Sequence, residues 1–556
     1  MLLLLTNVVF ASNVLEVNNG FYHIDNKKHI IVVNQKISSS VFLSSSEYKT
    51  QILFDKLYDL EEPIKVIDTS KYYVVKVDGI DYVLYFTELP IINIDTEHVI
   101  VDTPSVLADF SMSETNGTVS RYSIGVEIRG GSSQSRPKKS YELSFLTDKI
   151  SGTSQDVTFL SMRTDNKWNL QAIYNEPLRV RSKVANELWQ DIHQIYYKGK
   201  EPEAKNGIDM AYAEVFINSE YKGIYTLSER VDRKQLKLKK YSNGITGELY
   251  KGSYWDKPVV YSGLYDFNNK NEEWGGFEYK HPEEETNWSN IYNFIDFVIN
   301  SNDQVFNEEY SKKFNVANAV DYFILLNLLR ATDNTGKNLY IAKYKVGEPY
   351  YYVPWDLDGV LGTDWTGNRS NYTNDILSNG FYDRLLKDRS TSGFCAKIAS
   401  RWRELRASVI TEESIMSKFE NENNYLADNN AYEREMLAWD EYKYNVSDLS
   451  YTKAWLKNRI AFLDKTFAQY ESVLSAKISQ DNSIKIYPNP VNGYMFIECD
   501  AQVYEVCIQD INGKIVSVYS LKGNKNKIDV SNLSKGMYLA TLKSEKSFVK
   551  KKIIVD

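Results

Sequence analysis

The chain has 556 residues, of which 43% are hydrophobic, enough apolar material for about two to four domains with filled cores, so a disordered chain is excluded as the default. The formal net charge of -8 argues against a general nucleic-acid binder, whose surface would be basic. The 42 tyrosines fit a β-rich protein with a polar, extracellular surface and name no chemistry.

The chain opens on "MLLLLTNVVFAS", a short apolar run ending in Val9-x-Ala11, which resembles a secretory cleavage site. Residues 1–12 therefore read as a signal peptide whose basic start either precedes a late-assigned start codon or has been lost; the alternative is a buried first strand. No other run approaches the roughly 18–20 apolar residues of a membrane span, so no transmembrane span is expected.

Residues 13–88 alternate apolar and polar positions, and "YYVVKVDGIDYVLYF" (72–86) predicts a hairpin turning at Asp78-Gly79. This is a small β-rich module. Strands continue through "LPIINIDTEHVIVDTP" (89–104) and "YSIGVEIRGGSSQSRPKKSYELSF" (122–145), the latter broken by a turn at Gly130 to Ser135. "EPLRVRSKVANELWQDI" (176–192) predicts a helix with Val184, Leu188 and Ile192 on one face and Pro177 in its first turn. "YAEVFINSEYKGIYTLSERV" (212–231) predicts two strands about Asn218 to Glu220. The resulting order of two strands, a helix and two strands is that of small nucleotide-covering lobes.

Apolar stripes at 287–301 and 320–333 predict helices, the second ending at Asp333. Strands "NLYIAKYK" and "PYYYVPWDLDG" follow, and the longest predicted helix spans 451–475. From about residue 482 to 556 the pattern becomes short strands divided by Asn-Gly and similar turns, a separate β-sandwich. Cys395, Cys499 and Cys507 lack the paired spacing of a zinc site; Cys499 and Cys507 either bridge neighbouring strands or are free core thiols.

"RATDNTGKNLY" (330–340) and "VPWDLDGVLG" (353–362) place acids beside amides and glycines next to apolar runs. Charged side chains are rarely buried without a partner. Asp333 precedes Asn338 by five residues, a loop that can turn both toward one point. That suits an Asp accepting a hydroxyl proton and an Asn oxygen ligating a metal. Asp356 and Asp358, after a strand and beside Gly359, suit a hard oxygen-seeking cation, magnesium or manganese. Taken singly, each motif also reads as an ordinary turn. In combination they follow the order of catalytic and metal-binding segments in protein kinases. That reading needs a phosphate-contacting cation after a flexible turn, which "RGGSSQSRPKKSYEL" supplies in Lys138 or Lys139, only one of which strand alternation aims into a cleft. Glu187 on the helix is either that lysine's partner or an ordinary surface acid.

"VEIRGGSSQSRPKKSYELSF", "LRVRSKVANELWQDI", "AEVFINSEYKGIYTLSERVD", "RATDNTGKNLYIAKY" and "YVPWDLDGVLG" together resemble the CotH kinase family of atypical secreted and spore-coat protein kinases. The likeness spans about residues 89–476 and implies an α+β, bilobal, protein-kinase-like fold, preceded by the 13–88 module and followed by the 482–556 sandwich. It implies transfer of the γ-phosphoryl group of ATP, with Mg2+ or Mn2+, to Ser or Thr of an unidentified protein. Asp333 resembles the catalytic Asp; Asn338 and Asp356 resemble metal ligands with Asp358 nearby; Arg129, Gly130, Lys138 or Lys139, and Glu187 resemble the ATP-binding set. One departure is Asn218-Ser219, where the family has Asn-Gly; it lies in a hairpin.

The tail, with "IYPNPVNGYMFIE", "DINGKIVS", "LSKGMYLATL" and "KKKIIVD", looks like a type IX secretion C-terminal sorting domain, the alternative being another fibronectin-like module. It implies export to the cell surface or beyond and type IX machinery as a partner. Two other functional readings stand beside the kinase: a non-catalytic surface adhesion or scaffold protein, and a transferase of another nucleotide-derived group such as AMP.

Overall fold

The computed structural model describes residues 13–36, 48–475, 484–498, 503–510, 514–544 and 548–556. They fold as two compact units, one drawn from residues up to 387 with 400–465, the other from 388–399 with 466 onward. The expected signal peptide at 1–12 lies outside the described residues.

The first unit begins with seven strands: β1 (Val14–Glu16), β2 (Tyr22–Asp25), β3 (Ile30–Val33), β4 (Lys49–Leu53), β5 (Leu57–Ile64), β6 (Tyr72–Val77) and β7 (Ile80–Phe86). They form one sheet in the order β1-β4-β5-β6-β7-β3-β2. Asp78 and Gly79 turn the β6–β7 hairpin with φ of 53° and 83°, the left-handed pair that a two-residue hairpin loop requires.

Next come β8 (Ile91–Asp95), β9 (Val106–Ser113), β10 (Val119–Arg129), β11 (Ser140–Leu146), β12 (Lys167–Gln171), helix α1 (Arg181–Ile192), β13 (Met210–Ile217) and β14 (Glu220–Ser228). The strands close into a barrel in the order β10-β11-β12-β14-β13-β8-β9, filled by Phe110, Phe145, Phe159 and Trp168 among others. Closure removes the free sheet edges. Because side chains alternate, Leu143 and Phe145 of β11 and Trp168 and Leu170 of β12 fill the barrel. Ser140, Glu142, Lys167, Asn169 and Gln171 therefore face outward.

The expected helix from 176 starts later, at Arg181. Arg179 adopts φ of 61° and is buried, donating to the carbonyls of Ile173, Tyr174 and Glu176. Burying that guanidinium outweighs the local preference of Pro177 for a helical first turn.

The second half of this unit contains the short α2 (Arg233–Leu236), a sheet of β15 (Glu248–Gly252), β16 (Glu273–Trp274), β17 (Phe277–His281), β18 (Leu339–Lys343) and β19 (Tyr350–Pro354), and helices α3 (Ser289–Asn300), α4 (Asp303–Lys313) and α5 (Val316–Leu329). The sheet order is β16-β17-β15-β18-β19. Every residue of α5 from Asn318 onward is buried, as expected of a helix apolar on all sides. Asn318 ties it to β19: its Oδ1 accepts from the Tyr352 N–H (2.7 Å) and its Nδ2 donates to Tyr352 O (3.0 Å). The helix predicted to end at Asp333 ends at Leu329, because Arg330 turns left-handed (φ 53°) and caps it.

Helices α6 (Gly380–Leu385), α7 (Phe394–Arg406), α8 (Glu412–Asp428), α9 (Ala431–Ala438) and α10 (Ser447–Ser475) follow. α9 joins the amino-terminal sheet to the barrel. Tyr85 hydroxyl donates to Glu433 (3.0 Å), Lys28 donates to the carbonyls of Leu437 and Ala438 at the end of α9 (3.1 and 3.3 Å), and Arg434 pairs with Glu214 of β13.

In the second unit, β20 (Lys485–Tyr487), β21 (Tyr494–Glu498), β22 (Val503–Gln509), β23 (Ile515–Ser520), β24 (Lys525–Asp529), β25 (Gly536–Ser544) and β26 (Phe548–Val555) form two sheets, β20-β21-β24 and β23-β22-β25-β26. Met495, Ile497, Val506, Leu542 and Ile553 from both share one core. Cys507 is buried with its thiol 3.3 Å from Glu505; Cys499, and with it the expected bridge, lies outside the described residues.

Candidate active site

The β18–β19 hairpin brings the two acidic motifs together. Leu339 pairs with Pro354, which sets Asn338 opposite Trp355, the residue before Asp356. The Trp355 N–H donates to Asn338 O (3.0 Å), and the Asn338 N–H donates to Gly252 O on β15 (2.9 Å). Asn334 pins the loop from inside: its Nδ2 donates to the carbonyls of both Asn338 and Trp355, the latter at 2.8 Å. Asp333 starts a 3-10 turn running to Thr335, and Lys337 Nζ lies 3.6 Å from its carboxylate.

Asn338 and Asp356 are both left-handed, with φ of 54° and 55°. Asn and Asp tolerate this conformation better than bulkier residues. Among the described residues neither side chain is hydrogen-bonded within the protein, and Asp356 is exposed, opening onto a cleft of about 870 Å³. Seven of the residues singled out from the sequence line it: Arg129, Gly130, Lys138, Asp333, Asn338, Asp356 and Asp358. Lys139 and Glu187 are not among its lining residues.

Both acids of the Trp-Asp-x-Asp segment sit against the cleft wall, Asp356 reaching solvent through the cleft and Asp358 half-buried, so the protein around them strips away much of their hydration. Burial lifts Asp358 well above the usual carboxylate range, and the neighbouring Asp356 charge adds to the rise. Burial also raises Asp356, against the opposing pull of Arg129, Lys251 and Lys337, while the charge of Asp333 pushes it further up. Carboxylates so placed gain from a bound cation. Among the described residues no three His, Cys, Asp or Glu side chains form a self-sufficient metal cage. Magnesium does not need one, since it is commonly held by one or two carboxylates together with substrate phosphates and water. The unengaged oxygens of Asn338 and Asp356, with Asp358 beside them, fit that hard-oxygen donor set.

Basic residues face these acids. Arg129, at the end of β10, donates to Gln171 (2.7 Å) and lies over the Trp355 ring, 5.5 Å from its centroid. Gly130 has φ of 111°, a conformation that favours glycine, and a Cβ there would force Ser133 Oγ, 2.1 Å away, to turn aside. Gln134 Nε2 donates to Gly130 O (2.7 Å), and Lys139 Nζ donates to Gln134 O (2.6 Å), which places Lys139 in the framework of the turn.

Lys138 is fully buried. Its ammonium donates to Glu435 (2.6 Å) and to Ile224 O (2.5 Å) and lies over the Tyr225 ring. Burial lowers its pKa to about 8, with Glu435 opposing the fall. The lysine's carboxylate partner is therefore Glu435 of α9, and Glu187 instead pairs with Lys183 one helical turn away (2.5 Å). Glu435 also holds Arg179 (3.0 Å) and accepts from the Ile224 N–H (2.7 Å). A Cβ on Gly223 (φ 86°) would lie 2.1 Å from that carboxylate, so a glycine in this strand admits α9.

Sequence reasoning missed Glu435, Arg179, Asn334, Lys251 and Lys337. Lys337 and Asn334 sit inside the quoted "DNTGKN" and were legible there as an extra cation and a loop-closing amide. Glu435, 297 residues from Lys138, carries no local signal.

A closed barrel and an antiparallel sheet gather acids, an unengaged amide and basic side chains along one cleft. A family model described as CotH kinase protein matches residues 126–463, and the chain belongs to that family. A second, described as a secretion system C-terminal sorting domain, matches residues 485–556. The tail is thus a type IX sorting domain that directs the chain to the cell surface or outer membrane by way of the type IX machinery. No curated protein matches the chain. Among the described residues no helix is long and apolar enough to cross a membrane.

Proposed function

We propose that the protein is an exported, ATP-dependent kinase that phosphorylates Ser or Thr of a surface or secreted protein. In this reading the barrel and the helical half act as the two lobes of a kinase-like fold, and the two sheets of the tail as a β-sandwich. The observation that carries it is the β18–β19 pairing, which sets Asp333 and Asn338 beside Asp356 and Asp358 in a cleft walled by Arg129.

Asp333 orients the acceptor hydroxyl and takes its proton as the oxygen attacks the γ-phosphorus, the bond from that phosphorus to the β,γ-bridging oxygen breaking and ADP leaving. Asn338, Asp356 and Asp358 hold Mg2+ or Mn2+, which when bound offsets charge on the phosphate oxygens. Arg129, Lys337 and Lys251 line the phosphate path, and Lys138, fixed by Glu435 behind the cleft wall, adds its charge to that side of the site. Positioning and charge complementarity then supply most of the rate.

The test is transfer of labelled γ-phosphate from ATP, with magnesium and separately manganese, by the full chain to proteins of the producing cell's surface. Label on protein supports the kinase. A parallel reaction with α-labelled ATP separates the other readings: label from the α- but not the γ-phosphate supports adenylyl transfer, and ATP binding with neither label on protein supports the non-catalytic surface protein. Asp356→Ala is expected to weaken magnesium-dependent ATP binding by at least about tenfold, since even partners of metal ligands contribute 10–100-fold. Unchanged binding by calorimetry would remove Asp356 from the ligand set.

A further inference from the structure

One wall of the cleft has no part in the phosphate and metal chemistry. Ile208, Met210, Val231 and Leu249 line it and are each less than a tenth exposed. Leu249 stands two residues before Lys251 on β15, so both project to the same side, and this apolar wall runs on from the basic residues facing Asp356.

Asn186 of α1, 2% exposed, lines the same wall. Its orientation is set by the amide nitrogen, which donates to Ser182 O (2.8 Å) and touches Met210 sulfur (3.7 Å). That leaves Oδ1 buried with no hydrogen-bond partner. Asn169 carries a second such atom: it pairs across β12 and β14 with Ser228, which pairs with Met210, and its own Oδ1 is buried and unpaired. Native proteins rarely leave such acceptors unmet, and those that exist call for an explanation. An apolar recess presenting a carbonyl oxygen suits a flat heterocycle that donates an N–H.

We propose that this recess holds the nucleobase and that Asn186 Oδ1 accepts a hydrogen from the 6-amino group of adenine, making Asn186 a specificity-determining residue. The inference rests on the nucleotide-dependent reading above. A base with a carbonyl at that position would set oxygen against oxygen.

The test compares ATP with purine riboside triphosphate, which differs only in lacking the amine, by calorimetry on the full chain with Mg2+. The wild type is expected to bind ATP about tenfold more tightly, the value of one net hydrogen bond. Asn186→Leu is expected to bring that ratio close to one, with tryptophan fluorescence confirming that the variant is folded; Asn186→Ser serves if it is not. Equal wild-type affinities overturn the proposal, as does a preference that survives in a folded variant. A base preference without phosphoryl transfer supports the recess and sinks the kinase; transfer without preference does the reverse. If neither nucleotide binds, both fall.

Discussion

Asp333→Asn is expected to lower phosphoryl transfer by roughly 10²–10⁴-fold while leaving ATP affinity within a factor of a few. Asn keeps the size of Asp and one oxygen to accept a hydrogen bond, so the acceptor hydroxyl still docks, but the amide cannot take the proton. Asp333 belongs to the 3-10 turn before Asn338 and faces Lys337 at 3.6 Å, whereas the proposed metal donors lie beyond it at Asn338 and on the far strand of the hairpin. Its replacement thus separates the chemical step from nucleotide binding. The rate is measured by γ-phosphate transfer and the affinity by calorimetry, on the same preparation. A rate within about threefold of wild type would remove Asp333 from catalysis, and a parallel loss of binding would move it into the ligand set.

What the sequence made legible was mostly local. Asp78-Gly79 and Asn218-Ser219 each take two left-handed residues in succession, as short hairpin turns between alternating strands demand. The Asp-x4-Asn and Trp-Asp-x-Asp motifs were readable because their strands are adjacent in the chain, and the pairing of Leu339 with Pro354 follows from that adjacency. The choice between Lys138 and Lys139 was only half readable. Alternation allowed one of them into the cleft, but the choice depended on which residues fill the barrel, Leu143 and Phe145, and that is a tertiary fact.

Where long-range burial set the geometry, local reasoning failed. Glu187 was the nearest acid on a helix of suitable position, yet Lys183 one turn away satisfies it, and the buried cation took a carboxylate from a helix near the end of the unit. Arg179 displaced the helix start for the same reason. The unpaired oxygens of Asn186 and Asn169 were invisible because their significance lies in what fails to contact them once the strands are in register. A sequence pattern reports which residues can bury; it does not report which polar atom will be left waiting.

Glu435→Ala is expected to destabilise the first unit by about 3–5 kcal/mol, the range for breaking a buried ion pair by removing one partner. Lys138 and Glu435 side chains are both 0% exposed, and Arg179 is 1% exposed, so the truncation strands two cations away from water. It also removes the acceptor of the Ile224 N–H in β14. Glu435→Gln restores that acceptor but not the charge and should lie between wild type and Ala. All ten tryptophans lie between Trp168 and Trp455, and none falls within 388–399 or beyond 465, so fluorescence-monitored denaturation reads the first unit alone. Adding Lys138→Met to Glu435→Ala should recover part of the loss, because one stranded charge is gone, and the non-additivity measures the coupling. The effect should extend past the barrel. The residues beside Glu435 on α9, Glu433 and Arg434, bond Tyr85 of the amino-terminal sheet and Glu214 of β13, so loosening α9 releases the contacts of that sheet with the lysine wall of the cleft. A Glu435→Ala protein as stable as wild type would mean that Lys138 and Arg179 find other partners or water, and that α9 is not the joint between the amino-terminal sheet and the site.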